Sequence, residues 1–202
     1  MANFHLNVKT FTRSKGHSIA AKLAYRAGWL VKDERTGATH DYRRRTGVDR
    51  VVSFAPGGPF VRKLDEADAR AMWAAAERVE NRKNSQIARE VVIALPHEVE
   101  PHEREKLAER FGVELSERHR VGCTVMVHAP SSTGDQRNAH AHIMWTTREV
   151  SQPAGEPPLL GKKTRQFDEA TRSSIAISDL RAAWEKQVNL LLRPLGVPLV
   201  DH

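Results

Sequence analysis

Residues 122–147 read GCTVMVHAPSSTGDQRNAHAHIMWTT, and the way this stretch folds decides the rest. Two apolar runs, Gly122 to Ala129 and His140 to Thr147, flank the polar segment Ser131-Ser132-Thr133-Gly134-Asp135. Apolar runs of this length, bounded by turn residues, read as two strands of an antiparallel hairpin. Side chains alternate along a strand, so His140 and His142 share a face with Met144 and Thr146, and His128 shares one with Met126 and Thr124. If the two strands pair as a hairpin, three imidazoles can converge on one point. Three neutral imidazoles with open positions beside them suit a metal ion of catalytic type. A His-x-His pair alone is weak, because 10 histidines in 202 residues yield roughly half such a pair by chance. The third histidine strengthens it. Solvated surface histidines are the alternative, but Ile143 and Trp145 mark a buried strand, where unpaired imidazoles are costly.

Outward from the hairpin, the chain alternates strand and helix patterns. Residues 4 to 11 alternate, with Phe4, Leu6 and Val8 on one side and His5, Asn7 and Lys9 on the other, the pattern of a half-buried strand. Ser18 to Leu30 reads as a helix with Ser18 as N-cap. Asp33-Glu34-Arg35-Thr36-Gly37 is a turn, and Val48 to Phe54 a strand stopped by Pro56-Gly57-Gly58-Pro59. Asp65 caps a helix to about Glu80, whose stripe is Ala69, Met72, Trp73, Ala76 and Val79. Arg89 to Leu95 is a strand, and Pro101 opens a helix with Leu107, Phe111 and Leu115 inward. Val150 to about Phe167, rich in Pro, Gly and Lys, reads as a mobile loop, and Ser178 to Leu192 as an amphipathic helix. These elements predict an α+β domain: a central antiparallel sheet of about five strands packed by about four helices.

Composition bounds the function. The 202 residues carry 32 Lys and Arg against 25 Asp and Glu, a net charge of +7, with a pI near 9.8. That balance favours an anionic partner such as nucleic acid. No stretch approaches the ~18 consecutive apolar residues of a membrane span. The N-terminus lacks the basic-then-apolar pattern of a secretory signal. A single cysteine, Cys123, cannot form an internal disulfide and suits a reducing cytosol. The expectation is one cytoplasmic domain over residues 1–202 without membrane insertion. Its end at Val200-Asp201-His202, just after a helix, suggests a piece of a longer chain.

The chain holds two tyrosines, Tyr25 and Tyr42. On the first helix Ile19, Leu23 and Ala27 form the inward stripe, and Tyr25 lies nearly opposite Leu23, toward solvent or a ligand.

With the histidines and this tyrosine in place, the chain resembles the MobA/MobL family of plasmid mobilisation relaxases, within the wider class of His-hydrophobic-His endonucleases. The matching stretches begin with Phe4-His5-Leu6, then Ser18 through Tyr25-Arg26-Ala27-Gly28, and Asp33-Glu34-Arg35-Thr36-Gly37 running into His40-Asp41-Tyr42. They continue with Arg89-Glu90 before Ala94-Leu95-Pro96, then His128 and His140-Ala141-His142-Ile143-Met144. Their order and context span nearly the whole chain. The resemblance implies the fold of relaxases and replication-initiator nucleases. It also implies a tyrosine at the Tyr25 position that attacks a scissile phosphodiester at a plasmid transfer origin and forms a 5′-phosphotyrosine, with rejoining after transfer. His128, His140 and His142 would hold a divalent ion, Mn or Mg in the cell with Zn or Co as options, that polarises the phosphate. The implied partners are single-stranded or locally melted origin-of-transfer DNA, accessory DNA-binding proteins and type IV secretion and coupling proteins. The protein would travel with the DNA to the recipient cell.

A free tyrosine has a pKa of about 10, so its proton needs an acceptor. Glu90 is a candidate, either as that general base or as a carboxylate bracing a metal-bound histidine. Some relatives carry a second acidic residue where this chain has Val92. The run Arg43, Arg44 and Arg45, with Lys162, Lys163 and Arg165 of the later loop, would neutralise DNA phosphates, unless these are simply solvated charges. His5 is read as a surface histidine, with approach to the site as the alternative. Tyr42 could stack on a base or stand in for Tyr25, and Trp29 and Trp145 are read as packing residues. Two other function classes remain open. A DNA-binding module with a structural metal needs a closed four-ligand site, and Cys123 stands on the wrong alternation to join His128. A metallohydrolase using metal-bound water would leave Tyr25 incidental.

Overall fold

A computed structural model of the protein describes residues 4–201. The elements that place the site are β1 (Leu6–Thr12), α1 (Ile19–Ala27), β2 (Leu30–Lys32), β3 (Thr39–Asp41), β4 (Val48–Pro56), β5 (Val61–Leu64) and α2 (Glu66–Val79). After them come β6 (Gln86–Ala94), α3 (Pro101–His119), β7 (Val121–His128), β8 (His140–Ser151), β9 (Leu159–Lys163) and α4 (Ala170–Leu192). Six strands run in the order β1-β6-β8-β7-β4-β5, and β9 joins β8 as the seventh. Every pairing in this sheet is antiparallel. β2 and β3 form a separate two-stranded ribbon.

The alternation of the 122–147 stretch sets the two faces. Val125, Val127, Ile143 and Trp145 point to one side, against Phe111 and Leu115 of α3 and Trp184 and Val188 of α4. Met126 and Met144 point to the other, against Ile19 and Leu23 of α1 and Met72 and Trp73 of α2. With helices on both faces, all eight residues of β7 are buried. Inside the second layer the polar atoms are paired: Trp73 Nε1 donates to Thr124 Oγ1 at 2.8 Å, and Thr124 shares a hydrogen bond with Ser53 at 2.8 Å.

Local chemistry starts the first three helices where the sequence places them. Ser18 Oγ accepts from Ala21 N at 3.2 Å, and Asp65 Oδ1 from Asp68 N at 2.8 Å. Pro101 opens α3. α1 ends at Ala27, short of the Leu30 expected, because Gly28 takes a φ of 67° and caps the helix on Ala24, and Leu30 already belongs to β2.

The sheet has more strands than the five expected, because β5 and β9 are four and five residues long and carry too little periodicity to be read alone. Residues 150–167 are not a loop throughout. β9 pairs with the far end of β8, where Arg148 opposes Lys163, and Lys163 Nζ lies 3.0 Å from Glu80. The backbone partner, not β9's own pattern, supplies that order. α4 begins eight residues before Ser178, at Ala170. Its first turns bury little, so no stripe announced them. Val79 ends the α2 stripe half-exposed rather than buried.

Candidate metal and nucleophile site

α1 and α2 cover only part of their sheet face. Met144 is fully buried beneath them, whereas His142 and His140, one and two pleats further on, are half-exposed. The strand register puts His128 directly opposite His140, and Met126 opposite His142. The three rings stand with centroids 4.9–5.3 Å apart. One nitrogen from each lies within 4.8 Å of the others. Ligands around a tetrahedral ion stand roughly 3.4 Å apart, so the rings need only close slightly to share one.

The outer nitrogens fix which atom of each ring is offered. His142 Nδ1 donates to Glu90 Oε1 at 3.0 Å, His140 Nδ1 to the Asn138 carbonyl at 3.1 Å, and His128 Nε2 to the Arg26 carbonyl at 2.7 Å. Carboxylate and carbonyl oxygens only accept, so these ring nitrogens carry the protons. The lone pairs are then on His142 Nε2, His140 Nε2 and His128 Nδ1. Burial pushes the His128 imidazole down to about 4 and also lowers His140, and the charge of Arg45 adds to both shifts. Both are therefore neutral near pH 7, the form that binds metal. These residues fit a divalent ion.

Glu90 is fully buried. Its carboxylate accepts from Arg26 Nε and, at 3.2 Å, from Arg26 Nη2, besides His142. Burial by itself pushes the Glu90 carboxyl up, but the hydrogen bonds from His142 and Arg26 outweigh it and hold the net value below the ordinary carboxylate range. Val92, two residues on, opposes His142 across the β6–β8 pair. An apolar side chain thus stands opposite His142 on this strand.

Arg26 joins this network to Tyr25. Its side chain clamps Glu90 while its carbonyl holds His128, so the last turn of α1 is stitched to the cluster. Tyr25, the preceding residue, is 48% exposed. Tyr42 packs its ring edge-on to Tyr25 at 5.3 Å, and the Arg45 guanidinium sits 3.9 Å from the Tyr25 centroid. Sequence reasoning missed Arg26. The available signal was a long cation directly after the outward tyrosine, one residue before the helix ends.

The other sequence candidates spread out. Arg43 is exposed and forks onto Asp41 at 2.8 and 3.0 Å, and Arg44 is exposed. Lys162 and Lys163 lie in β9 and Arg165 just past it, alongside the far end of β8. Six residues of strand, ~20 Å, separate His142 from Arg148 there. Lys162 is 3.6 Å from Glu149. The structure does not bring these three together with Arg43, Arg44 and Arg45. His5 is exposed and outside the cluster, although its carbonyl accepts from Ala94, the register partner of His140. Trp145 is buried against Phe167, and Trp29 packs under Arg70. Cys123 lies on the opposite face of β7 from His128, and burial pushes its thiol up to about 12. Among the described residues the three histidines are the metal-competent group. A cavity of about 660 Å³ between α1, α2 and the β2–β3 ribbon contains none of them.

Residues 17–202 match the profile of the MobA/MobL family. The mobilization protein MobL of Acidithiobacillus ferridurans is 32% identical over 228 residues, which cover all of this chain and 58% of that protein. The chain thus spans a little over half the length of this curated relative. A solved structure described as the molecular basis of vancomycin resistance transfer in Staphylococcus aureus superposes with a TM-score of 0.76 at 25% identity, covering 100% of both chains. The conjugative relaxase TrwC, solved copper-bound and in complex with oriT DNA, gives a TM-score of 0.57 at 14% identity over 98% of this chain and 73% of that one. The likeness to TrwC is one of fold. Among the described residues no helix is long and apolar enough to cross a membrane.

Proposed function

The chain belongs to the MobA/MobL family, and on that premise we propose that it is a metal-dependent relaxase domain that nicks one strand at a plasmid transfer origin by tyrosine transesterification. The observation that carries this reading is the seam between α1 and the histidines: an exposed phenol one residue from the carbonyl that orients His128. His128 Nδ1, His140 Nε2 and His142 Nε2 would hold the ion. Once bound, a dication polarises the scissile phosphate and offsets its charge. Mn or Mg would serve in the cell, and imidazole ligands also suit Zn or Co.

Tyr25 Oη attacks the phosphorus, the P–O3′ bond breaks, and the 5′ end remains on the enzyme as a phosphotyrosine. One phosphodiester replaces another, so no nucleotide is consumed and the 3′ hydroxyl can later reverse the step. Positioning and charge neutralisation dominate such chemistry. Glu90, already accepting from Arg26 and His142, is the brace that orients His142 rather than the base for Tyr25. Single-stranded origin DNA is the substrate, and accessory and secretion-system proteins the partners.

The test is incubation of the protein and Mn²⁺ with single-stranded oligonucleotides carrying candidate transfer origins, followed by denaturing gels. Wild type is expected to give a covalent adduct and Tyr25→Phe none, while uncleaved DNA still binds the variant. An adduct retained by Tyr25→Phe would remove the nucleophile assignment. Cleavage with no adduct would favour hydrolysis by metal-bound water.

A further inference from the structure

The three arginines after Tyr42 are not equivalent. Arg43 is exposed and occupied by Asp41. Arg45 instead turns inward, with its guanidinium carbon 3.9 Å from the Tyr25 centroid. Its Nε is buried and finds no hydrogen-bond partner among the described residues. Nor does Arg45 make an ion pair among them. A guanidinium whose Nε is shielded from water, with no carboxylate beside it, leaves that donor unsatisfied unless an anion completes it.

The backbone holds Arg45 in this place. Tyr42 N donates to the Trp29 carbonyl at 3.1 Å, just beyond α1, and Arg45 N donates to the Tyr42 carbonyl at 2.9 Å. At the other end of the turn Gly47 takes a φ of 78°, and its carbonyl accepts from Ala129 N at 3.0 Å. Val48 then pairs with His128. The segment is therefore tied at one end to the helix of the phenol and at the other to the strand of a histidine. Tyr42, edge-on to Tyr25, and Arg45, against its face, together restrict the ring.

We infer that Arg45 is a catalytic residue of this site, whose guanidinium binds the non-bridging oxygens of the scissile phosphate between Tyr25 and the three histidines. The inference rests on the transesterification reading above. As the Tyr25 Oη–P bond forms and the P–O3′ bond breaks, the phenol proton passes to solvent and the 3′ oxygen takes one up. Negative charge concentrates on the phosphoryl oxygens midway. A planar fork held in place against the Tyr25 ring matches those oxygens and needs little reorganisation as the charge grows. The same cation packed on the aromatic ring keeps the nucleophile aligned with the phosphate it grips.

The test uses the oligonucleotide that yields an adduct, in two forms: the natural phosphodiester and a neutral methylphosphonate at the scissile position. Wild type, Arg45→Ala and Arg45→Lys are compared in single turnover at saturating Mn²⁺, with thermal melts to show that each is folded. On the phosphodiester, Arg45→Ala should slow adduct formation by ~10²–10³-fold, the size of losing one charge-stabilising contact. Arg45→Lys, which keeps the charge but not the fork, should recover part of that rate. On the methylphosphonate there is no anionic oxygen to neutralise, so the wild-type advantage over Arg45→Ala should shrink at least tenfold. An equal loss on both substrates would overturn the phosphate contact and leave Arg45 as packing for Tyr25. If no candidate transfer-origin oligonucleotide yields an adduct with wild type, the transesterification reading itself fails, and this role fails with it.

Discussion

Replacing Glu90 with glutamine keeps its shape and removes its charge, and the structure lets the consequence be worked out in two parts. The carboxylate is fully buried and holds Arg26, whose side chain is 12% exposed. Removing one partner of a buried pair costs about 3–5 kcal/mol, because the other charge is left without compensation. A domain of this size loses ~2–4 °C of melting temperature per kcal/mol, so Glu90→Gln should melt roughly 6–20 °C lower. The second part concerns the metal. Glu90 Oε1 is the acceptor for His142 Nδ1, and losing such a brace typically lowers metal affinity or activity ~10–100-fold. Mn²⁺ affinity can be measured by calorimetry, and single-turnover adduct formation followed over a wide Mn²⁺ range at a temperature where the variant is folded. A brace predicts weaker binding and a rate that saturating Mn²⁺ restores. A general base predicts a rate still depressed ~10²–10⁴-fold at saturation, with partial recovery as pH rises toward the phenol pKa. Unchanged Mn²⁺ affinity together with an unrecoverable rate would refute the reasoning.

Tyr42→Phe keeps the edge-on contact with Tyr25 and should stay within about threefold of wild type; a complete loss of adduct would make Tyr42 a nucleophile in its own right. His128→Ala, His140→Ala and His142→Ala should each abolish cleavage, and chelator should stop the wild type reversibly until a divalent ion returns. Full activity in chelator, with metal shown absent by elemental analysis, would remove the three-histidine site. The metal-free protein should lose stability as pH falls from ~6.5 toward 4. His128 is pushed down to about 4, chiefly by burial, so over that window the unfolded chain binds a proton that the folded chain excludes. Burial of His119, also held at about 4, acts in the same direction. Melts in chelator at successive pH values check this, and a melting temperature that rises on acidification would contradict it.

The features legible in the sequence are those that a residue's near neighbours impose. Alternation put His140 and His142 on one face of their strand and set Cys123 on the face opposite His128; the hairpin register then joined the three histidines. Helical spacing turned Tyr25 away from the stripe of Ile19 and Leu23. Capping side chains at Ser18 and Asp65 marked helix starts to within a residue. Alternation, helical spacing and capping each depend on contacts two to four positions apart, which composition and order specify directly. The strand order β1-β6-β8-β7-β4-β5 depends on pairing between segments far apart in the chain, and no local pattern encodes it. That order sets Glu90 beside His142, 52 residues later, and brings the Arg26 carbonyl to His128, 102 residues later. It also closes the 42–47 turn over the site, so that Arg45 meets Tyr25 while Arg43 faces solvent. An arginine run looks uniform in sequence because side-chain charge is a property of the residue. Which of those charges packs against a phenol is a property of the tertiary contacts, and only the folded structure decides it.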